Sequence, residues 1–326
     1  MTSLYPLKFS PIFKDKIWGG QKIKTILGKD FSPLPNCGET WELSGVKGNV
    51  SVARNGSLKG SLLTDLIQQY GEELLGKKII QKYGPEFPLL VKFIDANDDL
   101  SVQVHPDDKL AKERHDSFGK TEMWYIMQAD EGSSLITGFN RKMDKDSYVS
   151  HFNNGQLMDI LNTEKAQSGD VFFIPAGRVH TIGKGLLLAE IQQTSDVTYR
   201  IYDFDRVDDQ GNQRELHVEE ALDAIDYQFY DAYKTSYKEP GEGKTELVRC
   251  PYFVTNKIHI SDTYHVDHKS LDCFKIYVIL EGTGSIQFGS DEISFQKGEV
   301  ILVPATLKDY TFETTGDVTM LESYID

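Results

Sequence analysis

The stretch LSVQVHPDD, residues 100–108, alternates apolar Leu100, Val102 and Val104 with polar Ser101, Gln103 and His105 before Pro106 ends the run. Side chains two apart on a strand share a face, so a hydroxyl, an amide and an imidazole stand in one row. A carboxylate, Glu122, opens another strand-like segment, EMWYI, and a second imidazole, His180, follows PAGRV. Two imidazoles, a carboxylate and an amide oxygen form a donor set for Zn²⁺ or another borderline divalent ion, with room left for water or substrate. Each residue also has an ordinary alternative. A histidine can be a hydrogen-bonded core residue, Gln103 can satisfy a backbone group, and Glu122 can pair with Lys120.

Other charges interrupt apolar runs. Lys92 lies in FPLLVKFI, Glu190 in GLLLAEI, and Arg200 between VTY and IY. A charge inside an apolar strand is costly unless it is paired or functional. The plain reading is an edge strand or a buried ion pair, Glu190 with Arg200. The functional reading adds Lys120, two residues before Glu122, and makes a polar cavity whose cations attract a phosphate or a sugar acid. Three signals are set aside. GEELLGKK (71–78) mimics a phosphate loop but has Lys78 in place of Ser or Thr and a helical pattern. GTGSIQFG (282–289) is a hairpin turn, and His115, His151 and His217 sit in polar helical or loop contexts.

Short alternating segments at 7–13, 89–94, 100–105, 122–127, 171–174, 186–193, 276–280, 285–288 and 300–303 must position these groups. Their spacing, broken by Gly, Asn and Asp, predicts a β-sandwich or barrel. Helical patterns cover 61–84 as one or two amphipathic helices, 107–115 behind N-terminal aspartates, and about 143–163. KTSYKEPGEGK (234–244) reads as a linker around Pro240 and Gly241.

The chain also repeats itself. GDVFFIPA (169–176) matches GEVILVPA (298–305), and MWYIM (123–127) matches KIYVI (275–279). A repeat of this size indicates a duplicated β-domain. The G-D-x-x-x-x-P-A-G form resembles a signature of the cupin jelly roll, whose barrels commonly hold a metal between inward-facing residues. Counting from the repeat, Phe274 stands in the second copy where Glu122 stands in the first, and Asp309 where His180 stands. The first copy is therefore expected to be active and the second degenerate, without ligands. The fold expected is mainly β: two cupin-type jelly-roll barrels with a reduced helical portion near 61–84 and 140–165. The boundary is drawn as 1–235, the metal-binding domain, and 236–326.

Bulk properties narrow the partners. The chain has 326 residues, 26% of them charged, and a net charge of −15. Nucleic acid and anionic membrane call for broad positive surface, so neither is expected. Cys37, Cys250 and Cys273 are an odd, scattered set, poor for disulfides and suited to a reduced compartment. No signal-type N-terminus and no run of about 20 apolar residues is present, so a cytoplasmic location is expected.

Over nearly its whole length the sequence resembles the type I mannose-6-phosphate isomerases in their short bacterial form. The resemblance rests on KIWGG (16–20), ETWELS (39–44), LVKFIDANDDLSVQVHPDD (90–108), GKTEMWYI (119–126), PAGRVHTI (175–182) and AEIQQTSDVTYRIYDFDR (189–206). It implies one Zn²⁺ per chain on Gln103, His105, Glu122 and His180. It implies a catalytic Arg200, pocket positions at Lys92, Ser101, Lys120 and Glu190, and a sugar phosphate as substrate. The reaction implied interconverts mannose 6-phosphate and fructose 6-phosphate through a cis-enediol. Lys120 or Lys92 would hold phosphate or a hydroxyl, and Glu190 would be the base. Two other readings stand beside it. His105, Glu122 and His180 also compose the two-His-one-carboxylate set of an iron oxygenase, and a non-catalytic sugar-phosphate-binding cupin would keep the same cavity.

Overall fold

The computed structural model describes residues 4–207, 210–239 and 241–326; Pro240, in the expected linker, lies outside them. The chain is mainly β, with sheets of seven, five, six and four strands. Alternation along the strands dictates how the sheets stack. In strand Glu122–Ala129, Trp124 and Ile126 enter one core while Met123 and Tyr125 enter another. This strand belongs to the seven-stranded sheet, whose two faces are both covered. One face meets the five-stranded sheet around Ile94, Leu100, Trp124, Leu135, Ile182 and Leu188. The other shares a core with the six-stranded sheet, where Val91, Phe93 and Met123 join Ile276, Val278, Leu302 and Leu321. The six-stranded sheet in turn faces the four-stranded one through Tyr277, Ile279, Ile301, Phe295 and Phe312. Two double-sheet units thus lie back to back. Helices Lys145–Asn153 and Val218–Ala224 cover the outside of the five-stranded sheet through Tyr148 and Ala221. No helix among the described residues is long and apolar enough to cross a membrane.

Several expected elements are shorter than their patterns. The segment 7–13 is two strands, Leu7–Lys8 and Ile12–Lys14. Pro11 lies between them and has no N–H for a ladder. Leu7 pairs with Leu302 of the second unit, whereas Ile12 pairs with Trp41 of the first. The segment 61–84 is three helices, Leu63–Tyr70, Glu72–Leu75 and Lys77–Tyr83, interrupted at Gly71 and Gly76 with φ of +41° and +100°. Gly76 is needed for a close approach as well: a Cβ there would lie 2.4 Å from the carbonyl oxygen of Asp272. The expected helical stretch 140–165 keeps only Lys145–Asn153 and the turn Leu157–Ile160. Leu161–Lys165 is instead a strand paired with Ser134–Phe139. Gly155, at φ +70°, separates the helix from the turn.

The internal repeat holds, but its register is one residue away from the expected one. Glu122 pairs with Ile174, four positions before Arg178, and Lys275 pairs with Val303 at the matching place in the second repeat. Lys275, not Phe274, therefore corresponds to Glu122. Burial agrees, since Tyr277 and Ile279 face the inner core of the second unit, as Trp124 and Ile126 do in the first, while Phe274 belongs to the core between units. Likewise Tyr310 is buried while Asp309 is exposed, so Tyr310 takes the place of His180. A one-residue slip moves every side chain to the opposite face, which is why counting along the repeat misassigned both.

Candidate metal centre

Gln103 lies on strand Val102–Val104, and His105 directly follows it. His180 opens the short strand His180–Thr181 beside it, in register with Gln103. Glu122 begins a strand of the opposing sheet. The two sheets bring His105 Nε2 to 3.2 Å from Glu122 Oε1, and His180 Nε2 to 3.9 Å from Glu122 Oε2. One ligand atom from each of the three lies within 4.8 Å of the others, all fully buried. The rings are aimed by main-chain carbonyls. His105 Nδ1 donates to Val197 O at 3.0 Å, and His180 Nδ1 donates to Arg178 O at 2.8 Å. Each Nε2 is then left with its lone pair toward the cluster, the arrangement in which a second hydrogen bond sets the tautomer of a metal ligand.

The chemistry of the cluster fits a cation. Among the described residues, His105 Nε2 and both carboxylate oxygens of Glu122 have no hydrogen-bond partner despite complete burial. Orphaned buried polar atoms are costly, and one divalent ion satisfies all three together. The Lys120 ammonium is 3.1 Å from Glu122 Oε1 but makes no well-formed hydrogen bond to it. Gln103 Nε2 lies 3.2 Å from His180 Nε2. Turning that amide over would present its oxygen instead, so the fourth expected donor is at the rim of the cluster. Protonation states fit ligation. Burial would raise the Glu122 carboxyl, but Lys120 and the two imidazoles outweigh it and hold it well below the usual range. Burial and then the Lys120 charge lower His105 to about 3, and burial lowers His180. These directions favour neutral imidazoles and a charged carboxylate.

Lys92, Lys120 and Glu190 lie beside this cluster, though not with the expected pairing. Glu190 does not pair with Arg200. Lys92 and Glu190 are opposite one another on adjacent strands, and their side chains meet at 2.9 Å. Arg200 belongs to the other sheet, opposite Gln103. The Lys92 ammonium also donates to Gln192 Oε1 at 2.7 Å, and Trp124 Nε1 donates to Glu190 Oε1 at 2.9 Å. Burial and then the nearby Glu122 charge push the Glu190 carboxyl up. The glutamates around Lys92 outweigh its burial and keep it protonated. Ser101 is buried one residue before strand Val102–Val104. Arg200 is half-buried at the outer end of the row Arg200–Gln103–His180, and its Nη1 donates to Glu215 O at 2.7 Å.

Sequence reasoning missed the parts that hold these groups. Trp124 sets its edge against the His180 ring at 5.3 Å while binding Glu190. Its place in the alternation, two after Glu122, could have shown it facing inward. His217, set aside above, accepts from the Arg200 N–H at 3.2 Å and so fixes that strand; no sequence pattern signals it. His115 bonds the Tyr199 hydroxyl at 2.8 Å and His151 bonds Ser147 O at 2.7 Å, so both have local roles.

Known proteins are similar to this chain over nearly its whole length. The family model "Phosphomannose isomerase type I, catalytic domain" matches residues 6–139, and "Mannose-6-phosphate isomerase, cupin domain" matches residues 243–325. A mannose-6-phosphate isomerase of Streptococcus mutans is 37% identical over 320 residues, covering 98% of each chain. One of Bacillus subtilis is 36% identical over 314 residues, covering 94% of this chain and 96% of that one. The crystal structure of a mannose 6-phosphate isomerase from Bacillus subtilis superposes with a TM-score of 0.88 at 33% identity, over 98% of this chain and 99% of that one. These relatives favour neither an oxygenase nor a sensor. With a buried His–Glu–His cluster on a cupin-type frame, the chain belongs to the type I phosphomannose isomerases.

Proposed function

We propose that the chain performs the isomerisation of its family, mannose 6-phosphate to fructose 6-phosphate and back, at the His105–Glu122–His180 cluster with Zn²⁺ as its ion. The observation that carries this is the set of orphaned, inward-facing ligand atoms on His105 and Glu122. Two nitrogens and a carboxylate oxygen, with the Gln103 amide beside them, suit zinc and leave a position for substrate. The bound ion would supply Lewis-acid polarisation of the sugar carbonyl, which makes the adjacent C–H acidic.

The chain's own groups would do the rest. Glu190 is the carboxylate beside the cluster that is not a ligand, and its raised basicity suits a group that takes a proton from C2 and returns it to C1. Trp124 and Lys92 hold that carboxylate in place. Lys120 puts fixed positive charge beside the cluster, where charge builds on the enediol oxygens. Arg200, at the outer end of the ligand row, would add a second such charge or assist ring opening. Lys92 and Ser101 would contact substrate hydroxyls. The dianionic phosphate would find local positive charge here despite the net charge of −15. We further propose that residues 1–235, apart from strand Leu7–Lys8, which pairs into the sheet of the second unit, form the catalytic unit and 236–326 the second, and that the enzyme is cytoplasmic with no nucleic acid or membrane partner.

Metal analysis joined to a coupled mannose 6-phosphate assay tests the reading. The purified protein should hold one zinc per chain, lose turnover on chelation and regain it on adding zinc. A stripped protein that turns over at full rate refutes it.

A further inference from the structure

The second unit is not an apolar remnant. Matching it to the first, strand by strand, puts His268 where His105 stands: Gln103 is opposite His180 and Val266 is opposite Tyr310, and each histidine lies two residues further on. Tyr277 takes the place of Trp124, being opposite Glu322 as Trp124 is opposite Glu190. Asn256 takes the place of Lys92, opposite the same glutamate. The side chains repeat the contacts as well as the positions. Tyr277 donates to Glu322 at 3.1 Å, as Trp124 does to Glu190 at 2.9 Å. The His268 and Tyr310 rings are 5.5 Å apart, against 4.8 Å for His105 and His180. Tyr277 meets Tyr310 edge-on at 81°, as Trp124 meets His180 at 75°.

One change inverts the charge. Lys275 stands in the place of Glu122. A protonated lysine has no lone pair to give a metal, and its charge repels one. Instead its ammonium, 4% exposed, donates to Glu322 at 2.6 Å. Glu322 also accepts from Asn256 at 2.9 Å and from Lys244 at 3.1 Å. His268 is 5% exposed, and among the described residues neither ring nitrogen makes a hydrogen bond of good geometry, the Leu307 backbone being a polar contact of weaker geometry.

We infer that the second unit carries a counterpart of the metal centre in which the ammonium of Lys275 takes over the electrostatic part of the ion. It balances the Glu322 hub from within the chain. The second unit, which backs the sheet bearing Glu122, then keeps this buried carboxylate of Glu322 neutralised without any metal. Without Lys275 the hub would be a buried carboxylate deprived of its closest cation.

Two variants test this with the whole protein. Lys275→Glu combined with Tyr310→His should create a second divalent site with His268, raising bound metal from one to two per chain in a Co²⁺ or Zn²⁺ titration. A folded double variant that still binds one ion overturns the equivalence. Lys275→Met should lower the melting temperature by about 4–7 °C, the scale for stripping one partner from a buried pair, with metal content and kcat unchanged. An unchanged melting temperature overturns the role given to Lys275, and this variant decides the matter if the double variant does not fold. The inference rests on the first site being a metal centre. Wild-type protein with no bound metal would sink that reading, whereas one ion in both wild type and double variant would sink only this one.

Discussion

Arg200→Ala separates a catalytic charge from a structural one, and the structure changes the magnitudes expected. Had Arg200 been the partner of buried Glu190, its loss would have cost about 3–5 kcal/mol of stability. Glu190 is paired with Lys92 instead, at 2.9 Å. The Arg200 guanidinium is half-buried and, among the described residues, makes one side-chain hydrogen bond, 2.7 Å long, to Glu215 O. Losing one such bond costs about 0.5–1.5 kcal/mol, or about 1–4 °C in melting temperature for a chain of this size. If the same charge stabilises the enediol transition state, kcat falls by about 10²–10³, equivalent to about 3–4 kcal/mol of barrier. The two effects differ enough to read apart. Thermal melting, zinc content and the coupled kcat assay on Arg200→Ala and Arg200→Lys decide the question. Lysine should rescue poorly, because it cannot reproduce a planar fork of donors. A folded, zinc-loaded Arg200→Ala protein with normal kcat removes Arg200 from the mechanism.

Lys92→Met should do to stability what Arg200→Ala does not, costing about 3–5 kcal/mol because Glu190 stays buried without its cation; a melting temperature within 2 °C of wild type, a span of about 1 kcal/mol or less, would contradict the pairing. His105→Ala or His180→Ala should lose bound metal and turnover together while circular dichroism is kept, since the apolar cores do not depend on the ion; one metal per chain at normal turnover would refute the ligand assignment. Acid should weaken the second unit through His268, lowered to about 4 by burial and then by the charges of Lys275 and Lys308, with Glu322 and Tyr310 as its other polar neighbours. In an unfolded chain histidine titrates near 6.5, so between about 6.5 and 4 the unfolded state takes the proton first and stability falls as pH drops. The lowered Glu322 carboxyl adds a loss of the same sign at lower pH. A His268→Asn protein should show a flatter melting-temperature profile over that window, and an identical profile would refute the assignment.

The chemistry of the centre was legible in local patterns. The alternation of LSVQVH puts Gln103 and His105 on one face, and EMWYI and PAGRVH carry Glu122 and His180 in the contexts of their family. The strands bearing Gln103 and Glu122 fall where their period-2 patterns place them, because each buries one polar and one apolar row or two apolar rows, whereas the two-residue strand of His180 was too short to show a period. What sequence did not determine is which side chains meet. Glu190 and Arg200 look like partners along the chain, yet they lie on opposing sheets, and Lys92, nearly a hundred residues earlier, is directly across from Glu190. The repeat showed that the second unit was a copy, but a count along it misplaced the inward face by one residue, and that step concealed Lys275, Tyr310 and His268. Residue type and period are local properties, so the amino-acid sequence by itself determined the strands with clear alternation and the candidate ligands, but not strands such as Leu161–Lys165 or Tyr199–Tyr202. Pairing and register come from cross-strand hydrogen bonds between distant segments, so only the tertiary structure decided which charges neutralise one another and which remain free to hold an ion.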